Sequence, residues 1–382
     1  LITSSVTPPQ VAYINASFIG CTIRLIEDVI EYFDDIDEGA VLMMLDLKKA
    51  FDTLEWNFMF HVLKMFNFGE SFIHWIRTLY NDPIACVKNN GHLSRDIHIE
   101  RSVRQGCPVS VLLYILAVEV MAISIRQNVN IVGLQIGNDC EHIKIMQYAD
   151  DGVLFLKDAD ELQEAVNTIN RFSNVAGTVL NRSKCEGLWL CSFKERQTGC
   201  NLLDIKWPTE PIRCLGIYVG QSKQDTESLN WNMKLEKIEA QLHRWKQCDL
   251  TVFGKITIIK QLIVPKVLFS VSNLATPDGF IQRLNTQLFD FIWGKRDKVK
   301  RNVVINDYEK GGLKMIDIAS LFTSVKASWV IRFLQASDSE LWTKVAKHYL
   351  MYHIQEMIFK CNFSGRYECK LINKLPLFYK DV

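Results

Sequence analysis

Helically spaced apolar positions alternate with short continuous apolar runs in the first part of the chain. Residues 18–32 carry apolar side chains at helical spacing, which predicts an amphipathic helix ending before Asp34-Asp35. Val41–Leu45 is wholly apolar and is closed by Asp46, as expected of a strand buried on both faces. The same patterns predict further helices over 56–66, 72–80, 109–126 and 159–176, and further strands over 85–88, 97–99, 143–146, 153–156, 187–190 and 215–219.

Glycine, proline and asparagine mark the joints between these elements. Asn89-Asn90-Gly91 predicts a turn between strands 85–88 and 97–99. Pro108 suits the first turn of one helix, and Gly177 suits the end of another. After Gly220 the pattern changes to long helical segments over 229–246, 253–263 and 280–293. The chain is therefore predicted to be α+β up to Gly220 and helical beyond it.

Composition indicates a globular protein but says little about its binding partners. The 382 residues are 48% hydrophobic and 23% charged, which suits a large core divided among about two or three units. The net charge of +1 neither favours nor excludes a polyanionic partner, so only local clusters can indicate one. One such cluster, at Lys295–Arg301, suits either a solvated face or a phosphate contact.

Cysteine usage and targeting signals indicate the kind of cellular compartment in which the protein is expected. The 11 cysteines contain no CxxC pair, which favours free thiols in a reducing compartment. His348, His353, Cys361 and Cys369 lie near one another but fit no common zinc spacing, so we expect buried or incidental residues. We recognise no signal peptide and no apolar run approaching the length of a membrane span, so no membrane partner is predicted. The chain starts at Leu1 rather than at Met, and we expect it to be a fragment of a longer product.

An acidic pair between two apolar runs is the strongest chemical signal. Asp150 and Asp151 separate runs 143–146 and 153–156, which predicts a β-hairpin with acid at its tip. An Asp pair by itself is most often a solvated turn. Because Asp46 also ends a buried strand, however, three carboxylates could meet at one edge of a sheet. Carboxylates are natural ligands of Mg²⁺, and two such ions could activate an attacking hydroxyl and neutralise a departing pyrophosphate.

Several ordered blocks then carry a family resemblance. They are LDLKKAFD at 45–52, RQGCPVS at 104–110, YADD at 148–151, GTVLNRSK at 177–184 and Leu215-Gly216, with FIG at 18–20, the segment 245–260, FIWG at 291–294 and DYEKGGLKMIDI at 307–318. In order and spacing they resemble the motifs of reverse transcriptases, in particular those of LINE-type non-LTR retrotransposons. The resemblance implies a right-hand polymerase of the α+β class, with an antiparallel-sheet palm. Its implied parts are partial fingers at 1–40, a palm with inserted fingers elements at 41–220, a helical thumb at 221–294, and a basic, helical C-terminal extension at 295–382.

The resemblance also implies roles for single residues. Asp46, Asp150 and Asp151 would form the catalytic and metal site for two Mg²⁺ ions, with Mn²⁺ able to substitute. Phe51 would stack beneath the incoming sugar and exclude a 2′-hydroxyl, although a core aromatic remains the alternative. The implied nucleotide-binding residues are Phe51, Gln105, Gly106 and Lys184, and the implied primer and template contacts are Tyr148, Arg104, Lys255 and Lys260; a buried sheet tyrosine and surface lysines are the alternatives for Tyr148 and Lys184.

The implied activity is RNA-directed DNA polymerisation by two-metal nucleotidyl transfer. Its partners would be an RNA template, a DNA primer with the nascent cDNA, and dNTPs, in an intracellular setting that includes nucleus and cytoplasm. The oligomeric state stays open. Three departures from the family pattern leave rivals: Asn15-Ala16-Ser17 stands where a Lys, a Gly and an Arg are usual, Val111 replaces a proline, and Gly152 replaces a threonine. The rivals are a decayed nucleic-acid-binding remnant, a host-adopted structural protein, and a group II intron-like reverse transcriptase.

Overall fold

The computed structural model describes residues 18–137, 141–193, 202–294, 296–336, 340–354 and 375–382. The chain forms two compact units. The N-terminal unit comprises Leu1–Thr22 and Tyr32–Thr209, and the C-terminal unit comprises Ile23–Glu31 and Glu210–Val382. The predictions for Asn15-Ala16-Ser17, Lys295, Cys361 and Cys369 lie outside the described residues, as does that for the His353 side chain.

The first helix, α1, spans Ile19–Ile36 and supplies residues to both units. The predicted end before Asp34-Asp35 was wrong, because the helix continues past both residues. Their side chains are solvent-exposed, so their charges do not have to be buried within the helix. It ends at Asp37, which adopts the left-handed conformation with φ 53°. Aspartate tolerates that conformation better than most residues. Solvated acids on the outer face therefore did not interrupt the apolar stripe.

A four-stranded antiparallel sheet forms the centre of the N-terminal unit, in the order β6-β7-β1-β8. Strand β1 is Ala40–Leu45, and it lies between two partners. Its residues are buried on both faces, which explains the continuous apolar run that predicted it. The other sheet strands are β6 (Ile145–Tyr148), β7 (Asp151–Leu156) and β8 (Glu186–Leu190). The predicted mixed α+β class is confirmed.

Helices of the N-terminal unit pack into one hydrophobic core with this sheet. One of them, α6, follows the predicted pattern closely: the Asp158 side chain caps its start, and Gly177 with φ 76° ends it. The helices are α2 (Ala50–Thr53), α3 (Trp56–Met65), α4 (Glu70–Leu79), α5 (Pro108–Gln127) and α6 (Ala159–Ala176).

Helix α5 is a long and mainly apolar helix. It has 20 residues and a mean hydropathy of 2.2, so by length and composition it could cross a membrane. The expectation that no apolar run approaches that length was wrong. The window is 61% buried within the structure, with residues from Leu113 to Val118 in the core. A core helix has the same composition, so this helix is weak evidence for a membrane span.

The segment between α4 and α5 corrects another prediction. Strand β2 (Ile84–Ala85) pairs with β5 (Ile97–His98), while β3 (Lys88–Asn89) pairs with β4 (His92–Leu93). The turn therefore joins β3 to β4 and not the two predicted strands directly. Asn90 with φ 48° and Gly91 with φ 84° allow a tight two-residue hairpin to close locally.

The C-terminal unit is mainly helical, as the change of pattern after Gly220 predicted. Strands β9 (Ile212–Cys214) and β10 (Ile217–Val219) form a hairpin around Leu215-Gly216, so the predicted strand begins two residues later than expected. The helix predicted to end at Ile263 runs on to Asn273. The α-helices are α7 (Lys223–Glu227), α8 (Met233–Lys246), α9 (Val252–Ile258), α10 (Val264–Asn273), α11 (Phe280–Trp293), α12 (Arg301–Ile305), α13 (Ile318–Gln335), α14 (Leu341–Ile354) and α15 (Leu377–Asp381). Short π-helices at Ser228–Asn232 and Ile259–Ile263 connect α7 to α8 and α9 to α10.

Candidate active site

The sheet register brings the predicted carboxylates to one edge. Leu45 pairs with Gly152, so Asp46 and Asp151 are the next residues outward on neighbouring strands. Tyr148 pairs with Asp151 across the β6–β7 hairpin, and Ala149 and Asp150 form its two-residue turn. The hairpin with acid at its tip therefore has the predicted form. Backbone pairing alone brings together the two segments that carry the three carboxylates, the end of β1 and the β6–β7 hairpin.

Charge accumulates at this edge. The pKa of Asp151 is raised to about 6, first by partial burial and then by the negative charges of Asp150 and Asp46. Like-charged carboxylates that share a site disfavour one another's ionised forms. The edge is therefore a place where a cation would relieve repulsion.

Asp46 is held by Asn181 and Cys185, two residues to which the sequence analysis gave no role. The side-chain amide of Asn181 donates to Asp46 Oδ2 at 2.7 Å, and its backbone N–H donates to the Asp46 carbonyl at 2.8 Å. The Asp46 N–H in turn lies 3.4 Å from Cys185 Sγ. Both residues lie in or beside the block 177–184, which was the one available signal. The loop after β1 is thus fixed by the turn before β8.

The donor chemistry of this edge fits a divalent cation, since carboxylate oxygens are the ligands that Mg²⁺ prefers. The arrangement is not yet a chelate. Among the described residues, no group of three or more His, Cys, Asp or Glu side chains is placed to hold a metal ion as it stands. One oxygen of Asp46 is engaged by Asn181. The carboxylates would have to reorient for a metal to be bound.

Phe51 lies on the short helix α2, just after Asp46. Its ring stacks on the ring of Tyr114, with centroids 4.4 Å apart and an interplanar angle of 22°. The Phe51 carbonyl accepts a hydrogen bond from Val103 N at 2.8 Å, which ties the residue to the start of the RQG segment. Sequence reasoning missed Tyr114, because it lies within the apolar run that predicted α5.

Arg104, Gln105 and Gly106 precede α5 and are exposed. Arg104 Nη2 donates to the Leu79 carbonyl at 2.7 Å, so the guanidinium is already used within the unit. Gly106 has φ 82°, a conformation that L side chains rarely adopt. A Cβ added there would meet nothing within 4 Å, so backbone conformation rather than crowding requires the glycine.

The remaining predicted residues are divided between the two units. Tyr148 is partly buried in β6, and Lys184 is exposed in the turn that holds Asp46. Lys255 and Lys260 belong to the C-terminal unit, where both are partly buried. Lys255 Nζ donates to the Ile292 carbonyl at 3.3 Å, so its contact in this structure is internal to that unit.

Comparison with known proteins identifies the family. Residues 5–219 match the reverse transcriptase (RNA-dependent DNA polymerase) family, which covers more than half of the chain. The chain belongs to this family. Reverse transcriptase domains generally use divalent metal ions, in agreement with the donor chemistry at the sheet edge.

Relatives of the chain include proteins of transposable elements. The chain is 26% identical over 351 residues to an uncharacterized 149 kDa protein of transposon TX1 from Xenopus laevis, covering 91% of this chain and 27% of that protein. It is 26% identical over 247 residues to a Pol polyprotein of retrotransposable element R2 from Popillia japonica, covering 61% and 33%. The expected similarity to LINE-type non-LTR retrotransposons is confirmed. The chain spans only part of the length of either relative.

Solved structures that the chain matches include a telomerase from Candida albicans in complex with a fragment of telomeric RNA. That match has a TM-score of 0.44 and 10% identity, and it covers 83% of this chain and 54% of the telomerase chain. A telomerase from Candida tropicalis, likewise in complex with a telomeric RNA fragment, matches with a TM-score of 0.43 and 11% identity over 88% of this chain and 53% of that one.

Proposed function

We propose that this chain is the polymerase part of a retrotransposon protein and extends a DNA primer on an RNA template, using dNTPs. The observation that carries the proposal is the meeting of Asp46, Asp150 and Asp151 at one edge of the central sheet. Membership of the reverse transcriptase family supports it. We assign residues 41–220 to the palm with inserted fingers elements, 221–294 to the helical thumb and 295–382 to a C-terminal extension. We place the protein in the nucleus and cytoplasm.

In this proposal Asp46 and Asp150 hold two Mg²⁺ ions and Asp151 completes the site, with Mn²⁺ able to substitute. Such ions, when bound, supply activation of the primer 3′-hydroxyl and neutralisation of the departing pyrophosphate. Asn181 restrains the Asp46 side chain through its 2.7 Å hydrogen bond. The raised pKa of Asp151, due to burial and then to Asp150 and Asp46, favours occupation of the site above about pH 6.

Other residues of the chain would select and orient the substrates. The Phe51 ring would face the sugar of the incoming nucleotide and exclude a 2′-hydroxyl. Gln105 and Gly106 would present backbone to the base pair, and Lys184 would donate a proton to the pyrophosphate. Contacts to primer and template, largely through the phosphate backbone, are assigned to Tyr148, Arg104, Lys255 and Lys260.

Primer extension on an RNA template tests the proposal. The complete chain is supplied with Mg²⁺, dNTPs and a DNA primer, beside the variants Asp150→Asn and Asp151→Asn. The matched control is Asp160→Asn, which removes the charge of an exposed acid on α6. We expect extension by wild type and by the control, and a loss of at least about a hundredfold in both hairpin variants. Equal extension by all four proteins would refute the metal assignment.

A second candidate is a nucleic-acid-binding remnant without catalysis. One observation favours it: no acidic group in the described residues is arranged as a ready set of metal ligands. This alternative predicts that wild type binds an RNA–DNA duplex in a gel-shift assay but extends no primer with either Mg²⁺ or Mn²⁺.

A further inference from the structure

The ring of Phe51 rests on another aromatic ring. The centroids of Phe51 and Tyr114 are 4.4 Å apart and the planes are inclined by 22°, which is a stacked arrangement. Offset stacking of this kind favours a defined orientation of both rings. The orientation of Phe51 is therefore tied to that of Tyr114.

Phe51 has little local support of its own. Helix α2, which carries it, is four residues long and starts from Lys49 in the left-handed conformation at φ 49°. Such a short helix cannot hold a side chain rigidly without help from its surroundings. The Phe51 side chain is only partly buried, so part of the ring remains accessible. The stacked ring of Tyr114 covers one of its faces.

Tyr114 is, by contrast, firmly placed. It is completely buried, and it lies in the 20-residue helix α5 between Leu113 and Ile115, which are also buried. Close-packed interiors leave side chains of this size little freedom. A ring held in this way can act as a fixed platform for its neighbour.

The surroundings of the Tyr114 hydroxyl relate this residue to the acidic hairpin. It is buried, and within the described chain it has no hydrogen-bond partner. Burial raises the pKa of this phenol above its ordinary range, and the charges of Asp150 and Asp151 act in the same direction. Tyr114 therefore connects the aromatic stack with the acidic hairpin. A phenylalanine would fill the same space without leaving a polar atom unsatisfied.

We propose that Tyr114 is a specificity-determining positioning residue: its ring fixes the plane of the Phe51 ring and thereby sets the preference for deoxynucleotides over ribonucleotides. This inference rests on the proposed function, in which Phe51 faces the sugar. Tyr114 itself touches no substrate in this scheme. It acts through Phe51, because a tilted or mobile ring would no longer exclude the 2′-hydroxyl.

Four variants of the complete chain separate this role from ordinary packing. Phe51→Leu removes the sugar-facing ring, Tyr114→Met removes the platform while filling much of its volume, and Tyr114→Phe keeps the platform without the hydroxyl. Phe172→Met is the matched control, since Phe172 is a buried ring of α6 that packs edge-on against Phe58 at 5.6 Å. Melting curves establish that each variant is folded.

Two readouts are compared for each protein. The first is the ratio of kcat/KM for a dNTP to that for the matching rNTP. The second is equilibrium binding of the same nucleotides to a complex with a dideoxy-terminated primer, which involves no chemistry. We expect the ratio to fall about tenfold or more in Phe51→Leu and about fivefold in Tyr114→Met, with rNTP binding strengthened in both. Tyr114→Phe and Phe172→Met are expected to stay within about twofold of wild type.

The outcomes distinguish this inference from the proposed function. If Phe51→Leu relaxes the selection and Tyr114→Met does not, the role of Tyr114 is refuted and that of Phe51 stands. If Phe51→Leu leaves the selection unchanged, the role of Phe51 is refuted and that of Tyr114 with it, whereas the proposed function still stands. If wild type incorporates neither nucleotide, the proposed function itself fails. If Phe172→Met lowers the ratio of kcat/KM values as much as Tyr114→Met does, the effect of Tyr114 is one of general packing and the proposal is refuted. Should Tyr114→Met not fold, a loss of selection in Tyr114→Phe would still overturn the proposal, since that variant keeps the ring.

Discussion

Asn181 donates two hydrogen bonds to Asp46. Its side-chain amide donates to Oδ2 at 2.7 Å, and its backbone N–H donates to the Asp46 carbonyl at 2.8 Å. The residues are 135 positions apart in sequence. The double contact fixes both the backbone and the carboxylate of the residue that ends β1. A carboxylate has several lone pairs, so one bond from Asn181 leaves acceptor sites for a cation.

Replacing Asn181 should therefore impair metal binding more than folding. We expect Asn181→Ala to weaken Mn²⁺ binding and primer extension by about tenfold, because hydrogen bonds that orient a ligand commonly contribute that much. Asn167→Ala, at an exposed position of α6, is the control and should leave both unchanged. Mn²⁺ binding measured by electron paramagnetic resonance gives the affinity. Tighter binding by Asn181→Ala would show that Asn181 competes with the metal.

The pKa of Asp151 predicts a dependence of stability on pH. Burial, then Asp150 and Asp46, raise this pKa from 3.8 to about 6, so the folded chain binds the proton more tightly than the unfolded chain does. The stability that this group contributes is present below the unfolded pKa and is lost as pH rises through about 6. In EDTA, Asp151→Asn should therefore gain melting temperature relative to wild type between about pH 4 and pH 7.

Added Mg²⁺ should reverse that difference above about pH 6, because wild type alone keeps the charge that the cation stabilises. Thermal melts at several pH values, with and without Mg²⁺, measure both effects. A difference between the two proteins that does not change with pH would contradict the raised pKa.

Gly177 provides a test of backbone geometry close to the site. Its φ is 76°, and an added Cβ would lie 2.5 Å from Glu55 Cγ and 2.8 Å from the Thr53 carbonyl oxygen. We expect Gly177→Ala to destabilise the chain by about 2–3 kcal/mol in urea unfolding, through strain and overpacking together. Gly254→Ala, in helix α9 with only ordinary contacts nearby, should instead stabilise by about 0.5–1 kcal/mol. Equal effects of the two changes would contradict this account of Gly177.

A buried ion pair holds the middle of α1 within the C-terminal unit. Arg24 Nε lies 2.9 Å from Asp28 Oδ1, with both side chains at most 3% exposed. The Tyr379 hydroxyl donates to Asp28 Oδ2 at 2.8 Å. Burial nevertheless raises the pKa of Asp28 to about 6. The charged carboxylate is therefore unfavourable in this buried position even with Arg24 beside it, and would be more so without Arg24.

Arg24→Met should thus destabilise the chain by about 3–5 kcal/mol, because it leaves a buried charge unpaired. The double variant Arg24→Met, Asp28→Leu should recover part of that loss, since no charge then remains to be desolvated. Urea unfolding of the three proteins measures the difference. A double variant less stable than Arg24→Met would contradict the assignment.

Local patterns predicted the parts of the site that neighbouring residues determine. The apolar run Val41–Leu45 and the acid that ends it, like the hairpin around Asp150, are defined within a few residues of sequence. The sequence could not show that Asn181 bonds to Asp46 or that Tyr114 supports Phe51. These pairs form through tertiary packing, and Tyr114 is one aromatic residue within a long, mainly apolar helix. The helix boundary at Asp34-Asp35 was misplaced because exposed acids are compatible with a helix whose opposite face is buried.

Binding of Mn²⁺ to the complete chain, measured by electron paramagnetic resonance, tests most directly whether Asp46, Asp150 and Asp151 form one metal site. Asp46→Asn, Asp150→Asn and Asp151→Asn are each expected to weaken binding by at least about tenfold, whereas Asp160→Asn should bind like wild type. Unchanged binding in all three of the first group would contradict the assignment of the sheet edge as the catalytic metal site.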